Sequence, residues 1–448
     1  MVGKLYTGNI GYRSIDIRNG PRVHFISCKT GYDDFLSIYV TVGFGSSHVK
    51  CRDHNGKEFA LPRGMAHFME HFLFWNSFED RLCPMVHKYL VDPNAFVTYD
   101  RTSWYLRNAY IGPDEIVLSP LSVDEDMKIS AACDIVKNLM LVNMCRNLES
   151  GNIDNLIRKT VNDVKNEISH RHSNLGYRLQ MQLMQTAYAR NPVRYDILGS
   201  PEDLDQIDCE KHVRIACDLV SRNIESVTVL GHNLSDKFII NVEKTVCEFV
   251  KEATKVRKLE PLTAEVMEDI KVFNNTKGVD HDNIYGKAPV LMGFKLSPLE
   301  QAYQGSKFLR IYLVTLLITK YFSKPVNCVL SRSCRIYLVG GVAEDYFFLD
   351  IGSISEVKED LRKQFISRLV DFKDCFQQMK VTALTKILDS PRLLAQICDE
   401  ADLYRFRLED VLEAFNFVTE RDLETLIHEI KEARHNMAIV YAGNVNLI

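Results

Sequence analysis

The sequence predicts an α+β protein built from two similar α/β domains. Three observations lead there. At 448 residues the chain is too long for one ordinary hydrophobic core. Short stretches with period-two alternation and turn dipeptides, the mark of hairpins, are separated by long stretches of helical character. A weak internal repeat also links the two halves. Residues 201–233 run from Pro201-Glu202-Asp203-Leu204 through a helix to Val227-Thr228-Val229-Leu230-Gly231-His232-Asn233. Residues 409–444 run from Glu409-Asp410-Val411-Leu412 through a helix to Met437-Ala438-Ile439-Val440-Tyr441-Ala442-Gly443-Asn444. Each is a helix followed by an apolar strand that closes on Gly and Asn, which favours a duplicated domain of about 220 residues per copy. The expected domains are 1–252 and 286–448, joined by a linker at 253–285.

Composition narrows the class. Hydrophobic residues make up 46% and charged residues 25% of the chain, as in soluble globular proteins. The net charge of −4 gives no basic footprint for nucleic acid. The longest apolar run, near Ile311–Thr319, is far short of a membrane span. The opening Met1-Val2-Gly3-Lys4-Leu5-Tyr6 shows neither a signal-peptide core nor an Arg-rich transit segment, so a cytoplasmic protein is expected. The 12 cysteines include no Cys-x-x-Cys pair and are expected to be reduced thiols, mostly in the core.

In chain order, residues 12–28 suit a hairpin around Asn19-Gly20, a favourable turn dipeptide. Residues 36–46 are the clearest strand of the first half, β-branched and aromatic. A helix is predicted from Gly64. A strand follows Pro93, and Ser103–Arg107 suits its hairpin partner across Asp100-Arg101-Thr102. Residues 125–147 and 152–190 are helical in pattern, 227–233 a strand, and 235–251 a helix. The charged, weakly periodic 253–285 segment motivates the linker. The second half restarts with a strand at 289–294, a long helix near 299–322, and strands at 335–343 and 345–351.

The chemistry concentrates in Gly64-Met65-Ala66-His67-Phe68-Met69-Glu70-His71-Phe72-Leu73-Phe74-Trp75. On a helix, His67, Glu70 and His71 stand at i, i+3 and i+4 and project from one face. Two imidazoles one turn apart can hold a divalent ion, and the neighbouring carboxylate can take a proton from water. The order His-x-x-Glu-His is the inverted zincin signature. With 13 His and 59 acidic residues in the chain, chance supplies roughly 0.05 such patterns. The competing reading is a buried helix with satisfied histidines. The apolar surroundings, Phe68, Met69, Phe72, Leu73, Phe74 and Trp75, make three polar groups costly guests in a plain core.

A catalytic zinc needs a third protein ligand and one open position. Glu167, in Val164-Lys165-Asn166-Glu167-Ile168, falls on the apolar side of its predicted helix. An ordinary Glu at a helix edge is the alternative. At this point the chain resembles the pitrilysin, or M16, metallopeptidases, whose segments occur here in the same order. Gly43-Phe44-Gly45-Ser46-Ser47 resembles their strand-to-loop Gly-Ser element, and 64–74 their metal helix. Asn94-Ala95-Phe96-Val97-Thr98 resembles their substrate-pairing strand. Val164–Ile168 is similar to their third-ligand helix, and Asn191-Pro192 with Ile197-Leu198-Gly199-Ser200-Pro201-Glu202 to a further signature.

The resemblance implies two homologous α/β-sandwich domains of the M16/LuxS-like metallohydrolase type, mostly antiparallel sheets with helices packed on one face. It implies one Zn2+ per chain held by His67, His71 and Glu167, with Glu70 as general base. Peptide substrate would lie extended along Asn94, Ala95 and Phe96 in an enclosed chamber. A weaker resemblance is to bacterial members that mature ribosomally made peptide antibiotics, which implies leader-peptide processing.

The chain departs from that family in three places. The interval from His71 to Glu167 is long, with the excess in 110–150. Thr160 stands seven residues before Glu167 where the family often has Glu. The family's Arg and Tyr, seven residues apart in the second half, have no match, and Arg335 and Tyr337 are the nearest remnants. Half-length members pair into a clamshell, so a homo- or heterodimer is expected, with a partner subunit supplying Arg and Tyr contacts. The alternative is a non-catalytic peptide-binding or structural subunit of such a heterodimer. An iron or manganese enzyme is disfavoured by the His-His-Glu donor set.

Overall fold

In the computed structural model, the described residues are 2–7, 10–28, 36–53, 55–89, 91–108, 125–142, 153–187, 192–253, 260–262, 273–279, 288–295, 333–337, 346–354, 356–357, 361–388, 394–395, 397–398, 407–432, 436–442 and 446–447. They fall into two compact units. The first comprises Met1–Ile168, Ile197–Ala264 and Ile387–Arg407, the second Ser169–Asp196, Glu265–Lys386 and Leu408–Ile448.

In the first unit the strands are β1 (Val2–Thr7), β2 (Ile10–Asp16), β3 (Arg22–Cys28), β4 (Leu36–Val42), β5 (Lys50–Arg52), β6 (Glu58–Ala60), β7 (Val91–Val97), β8 (Thr102–Asn108), β9 (Ile224–His232) and β10 (Glu260–Leu262). Seven form one sheet in the order β1-β2-β3-β9-β4-β8-β7. All its pairs are antiparallel except β3 with β9. The β2–β3 hairpin turns at Asn19, whose φ of 59° is the left-handed conformation such turns need.

Alternation sorts the sheet's two faces. Ile38, Val40, Val227, Val229 and Leu106 have no exposed surface, and Trp104 is 1% exposed. The register sets Ile38 between Val229 and Leu106, and Val40 between Val227 and Trp104. Burying each such side chain contributes about 2 kcal/mol. The opposite face carries another row, Thr228, Tyr39, Tyr105 and Asn94.

The α-helices up to residue 253 are α1 (Met65–Ser77), α2 (Cys83–Tyr89), α3 (Glu125–Val142), α4 (Ile153–Ser173), α5 (Leu175–Ala187), α6 (Pro201–Leu204), α7 (Arg214–Arg222) and α8 (Asp236–Ala253), and Leu361–Leu388, Leu408–Phe417 and Glu420–Glu432 are helical later in the chain. Helix α3 packs on β4, β8 and α8, and α1 lies against β7, β8 and α7. A π-helical turn, Phe78–Leu82, joins α1 to α2.

The second unit's main sheet uses β11 (Phe273–Val279), β12 (Ala288–Lys295), β13 (Ser333–Tyr337), β14 (Tyr346–Ile354) and, after β15 (Glu356–Val357), β16 (Asn436–Ala442). Its order is β11-β16-β12-β14-β13, with β11 and β16 parallel and the other pairs antiparallel. This reproduces β3-β9-β4-β8-β7 strand for strand and direction for direction. The repeat seen in the sequence therefore corresponds to a repeated topology: its two strands, β9 and β16, each enter the middle of a sheet beside one parallel neighbour.

Several expectations change. The linker at 253–285 contains β10, which pairs with β5, and β11, an edge of the second sheet. Asn274, Asn275 and Gly278 give β11 little strand propensity, and pairing with β16 supplies what its own sequence lacks. The single helix over 152–190 is broken at Asn174, and α5 packs on β11, β12 and β16 of the second unit. Both units are thus discontinuous in sequence. Cys217 is disulfide-bonded, contrary to the expectation of reduced thiols alone, whereas Cys28 and Cys51 are free and buried. A pairing created by the fold leaves no spacing signature in the sequence. The helix predicted near 299–322 lies outside the described residues. No helix among the described residues is long and apolar enough to cross a membrane.

Two backbone crossings hold α1 and β7 in place. Gly64, which precedes α1, has φ 76°, and a Cβ there would lie 2.3 Å from the Leu198 carbonyl oxygen. Gly199, also at φ 76°, presses back on Arg63, with 2.7 Å from an added Cβ to its carbonyl oxygen. Further along the sheet, Gly45 lies against the β7–β8 turn, where a Cβ would meet the Arg101 nitrogen and Tyr99 oxygen at 2.4 Å. Ser46 and Ser47 donate backbone N–H bonds to Thr98 and Tyr99.

Gly64→Ala should lower the melting temperature sharply, by an amount equivalent to about 2 kcal/mol or more. Thermal unfolding checks this against Gly56→Ala, whose glycine shares the positive φ but has open space around it. His48 accepts the Gly45 N–H, and burial holds its imidazole down at about 4. A depressed imidazole stabilises the fold above its unfolded value of 6.5 and loses that contribution as pH falls toward about 4. Stability measured across this interval should therefore fall in the wild type more steeply than in His48→Gln.

Candidate metal centre

Helix α1 delivers three polar groups from a largely apolar segment. Phe68, Met69, Phe72 and Leu73 are buried without exposed surface, and Phe68 and Phe72 stack at 5.6 Å. That packing fixes the helix rotation and turns His67, Glu70 and His71 to one side. His67 is 5% exposed, and the side chains of Glu70 and His71 are 13% and 23% exposed. Trp75, expected in the apolar surroundings, is instead 40% exposed.

Helix α4 brings the other carboxylate. Ile157, Thr160, Val164 and Ile168 form its buried stripe, with Glu167 at the stripe's margin. Thr160 has no exposed surface and donates its hydroxyl to the Leu156 carbonyl, so it offers the centre no carboxylate and spends its hydroxyl within its own helix. Lys165, two residues before Glu167, lies 2.6 Å from Asp205. Asp205 follows α6, whose Ser200 cap and Asp203 complete a capping box. The 198–205 segment therefore touches both helices: Gly64 at the start of α1 and Lys165 on α4.

The side chains converge on one oxygen. Glu167 Oε2 lies 3.1 Å from His67 Nε2 and 3.2 Å from His71 Nε2. The two rings meet edge to face with centroids 4.7 Å apart. Glu70 reaches the opposite nitrogen, with Oε2 3.1 Å from His67 Nδ1. His67, Glu70 and His71 also offer ligand atoms within 4.8 Å of one another. Both imidazoles direct Nε2 at Glu167, whereas Glu70 addresses His67 from behind.

Donor chemistry and spacing both fit zinc. Tetrahedral zinc with bonds near 2.1 Å sets its ligand atoms about 3.4 Å apart, and the observed separations of 3.1 and 3.2 Å are slightly shorter. Burial lowers the His67 imidazole pKa, but hydrogen bonds to Glu167 and Glu70, reinforced by their charges, outweigh it and lift His67 to about 9. The pocket thus favours a positive charge where the carboxylates meet the rings.

Asn94, Ala95 and Phe96 lie on β7, which among the described residues is an edge strand of the first sheet. They face Tyr105, Trp104 and Ser103 of β8. The structure adds Tyr39, Tyr105 and Arg107 to the residues singled out by sequence. The rings of Tyr39 and Tyr105 are 5.0 Å apart, and Phe96 lies 6.3 Å from Tyr105. Arg107 lies over Tyr105 and bonds Asp92 at 3.0 Å. Burial pushes the Tyr105 phenol up, opposed by Arg107 and aided by the charges of Asp92 and Glu70. The half-polar alternation of β8 was the available signal for these residues. Arg335 and Tyr337 belong to the second unit, on β13, opposite Phe348 and Tyr346 of β14.

No protein-family model and no curated protein matches the chain. Solved structures do. A protein from Alicyclobacillus acidocaldarius described as an M16-like peptidase is 17% identical, with a TM-score of 0.72 over 98% of this chain and 99% of its own. A peptidase M16 inactive domain from Pseudomonas fluorescens is 13% identical, with a TM-score of 0.65 over 98% and 99%. Pitrilysin is 14% identical, with a TM-score of 0.61 over 99% of this chain and 46% of its own. The chain therefore has the α+β fold of M16 peptidases, at the length of the first two and about half the length of pitrilysin.

Glu167→Gln should leave the chain folded and weaken zinc binding about 100-fold or more. Competition against a chromophoric chelator measures the loss, and circular dichroism checks the fold.

Proposed function

We propose that this chain is a zinc-dependent endopeptidase that cleaves peptides or unfolded segments held as an extended strand. The observation that carries this reading is the convergence of His67 and His71 Nε2 on one oxygen of Glu167, at 3.1 and 3.2 Å, beside a further carboxylate. On this reading His67, His71 and Glu167 hold the metal. The chemistry supplied by zinc there is polarisation of the scissile carbonyl and acidification of water.

The protein's own residues do the rest. Glu70 accepts a proton from the attacking water and returns it to the leaving amine. Substrate backbone pairs with the open edge of β7 at Asn94, Ala95 and Phe96, which selects an extended conformation more than a sequence. Ala95 N–H is also within 2.8 Å of the Asn94 side-chain oxygen, so exchanging that bond for one to substrate costs little. The chain is further proposed to act in a homo- or heterodimer whose partner subunit supplies Arg and Tyr contacts.

A second reading has one observation in its favour. Glu70 Oε2 is engaged with His67 Nδ1, and the fold is shared with an inactive M16 domain. A chain that binds peptide without cutting it would use the same edge strand.

Zinc content and peptide cleavage, measured side by side for the wild type and Glu70→Gln, separate the two. The endopeptidase reading expects zinc in both and cleavage about 10²- to 10⁴-fold slower in the variant. Zinc in both with equal cleavage removes Glu70 from the chemistry. Absence of cleavage by the wild type across a pooled peptide library favours the binding subunit.

A further inference from the structure

Trp75 departs from its surroundings. Phe72 and Leu73, just before it on α1, have no exposed surface, yet 40% of its own surface is exposed. It stands one turn beyond His71, on the same side of the helix and about 6 Å further along the axis. Phe74 meets its ring at 88° with centroids 5.7 Å apart, and Phe78 of the π-helical turn lies at 5.9 Å. These neighbours hold the indole in place without covering it.

Above the indole lies an ammonium group. Lys159 Nζ is 4.7 Å from the ring centre of Trp75. Lys159 sits on α4 eight residues before Glu167, so the Trp75–Lys159 contact repeats, further along two antiparallel helices, the meeting of His71 with Glu167. No carboxylate of the described residues pairs with Lys159, although Asp163 stands one turn further along α4. An exposed cation–π contact is worth about 0.5–1 kcal/mol and leaves the ammonium's N–H donors free.

We propose that Trp75 and Lys159 form a substrate subsite that selects an acidic side chain about two residues from the bond broken at the metal centre. The inference rests on the peptidase reading above and names the substrate class of that site. Trp75 stands about 6 Å from His71 along α1, a distance an extended peptide covers in about two residues. The carboxylate of a substrate Glu or Asp accepts hydrogen bonds from Lys159 Nζ, and its methylene groups lie on the indole.

The test uses the zinc-loaded full chain and peptides that differ only in carrying Glu, Gln or Lys at each of three positions on either side of the cleaved bond. The wild type should favour Glu over Lys in kcat/KM by about fivefold to tenfold at one position. Lys159→Glu should reverse that preference, and Lys159→Met should erase it, with zinc content unchanged in both. A wild type without the preference, or a preference untouched by Lys159→Glu, overturns the subsite while leaving the peptidase reading intact. A second readout separates the converse case. The chain has two tryptophans, and Trp104 is 1% exposed, so quenching by an added peptide reports Trp75. If the Glu peptide quenches the wild type but not Trp75→Phe, and nothing is cut, the subsite stands and the peptidase reading falls. Neither quenching nor cleavage overturns both.

Discussion

The candidate metal set depends on a contact that contains none of its members. Gly64 and Gly199 cross backbone to backbone, each at a φ of 76° and each with no room for a Cβ. The crossing fixes where α1 begins and, through the rigid packing of Phe68 and Phe72, where His67 and His71 point. The chain beyond Gly199 then caps α6 and meets Lys165 through Asp205, close to Glu167. The Lys165–Asp205 pair is too exposed to add much stability, so its value is positional. Three donors from helices a hundred residues apart are therefore registered by one short segment, and the glycines are the only residues compact enough to allow it.

The electrostatics of the centre follow from that registration. Two carboxylates are brought against one buried imidazole, an arrangement unfavourable for a neutral ring and favourable for a cation. A divalent ion would meet this demand and would compete with protons for the same ring nitrogens, so its affinity would be linked to pH. Glu70 and Glu167 have the same functional group but distinct surroundings: one faces the rear nitrogen of a single ring, the other the front nitrogens of two.

Much of this was legible in the sequence because local pattern and chemistry agreed. The His-x-x-Glu-His spacing required only a helix, and the apolar residues around it supplied one. Glu167 was legible as a carboxylate on an apolar margin, and β7 and β8 as a hairpin after Pro93. What escaped depended on distant partners. Strand β11 is polar and exists through β16; α5 has an ordinary amphipathic pattern that says nothing about which unit it joins. Trp75 looks like any other core aromatic until the fold leaves one side of it uncovered. Cys217 acquires a disulfide that no local spacing announces.

The insertion of β9 between β3 and β4 carries a consequence for how the molecule is made. During synthesis β3 and β4 emerge some two hundred residues before the strand that separates them, and in the second unit β11 and β12 await β16 in the same way. Each sheet is thus completed from its middle by its late-arriving strand, and until then two unpaired edges stay open to wrong partners. The wait favours slow closure and reliance on chaperones, and it makes a prematurely ended chain worse than a shorter one: it lacks the centre of a sheet rather than its border.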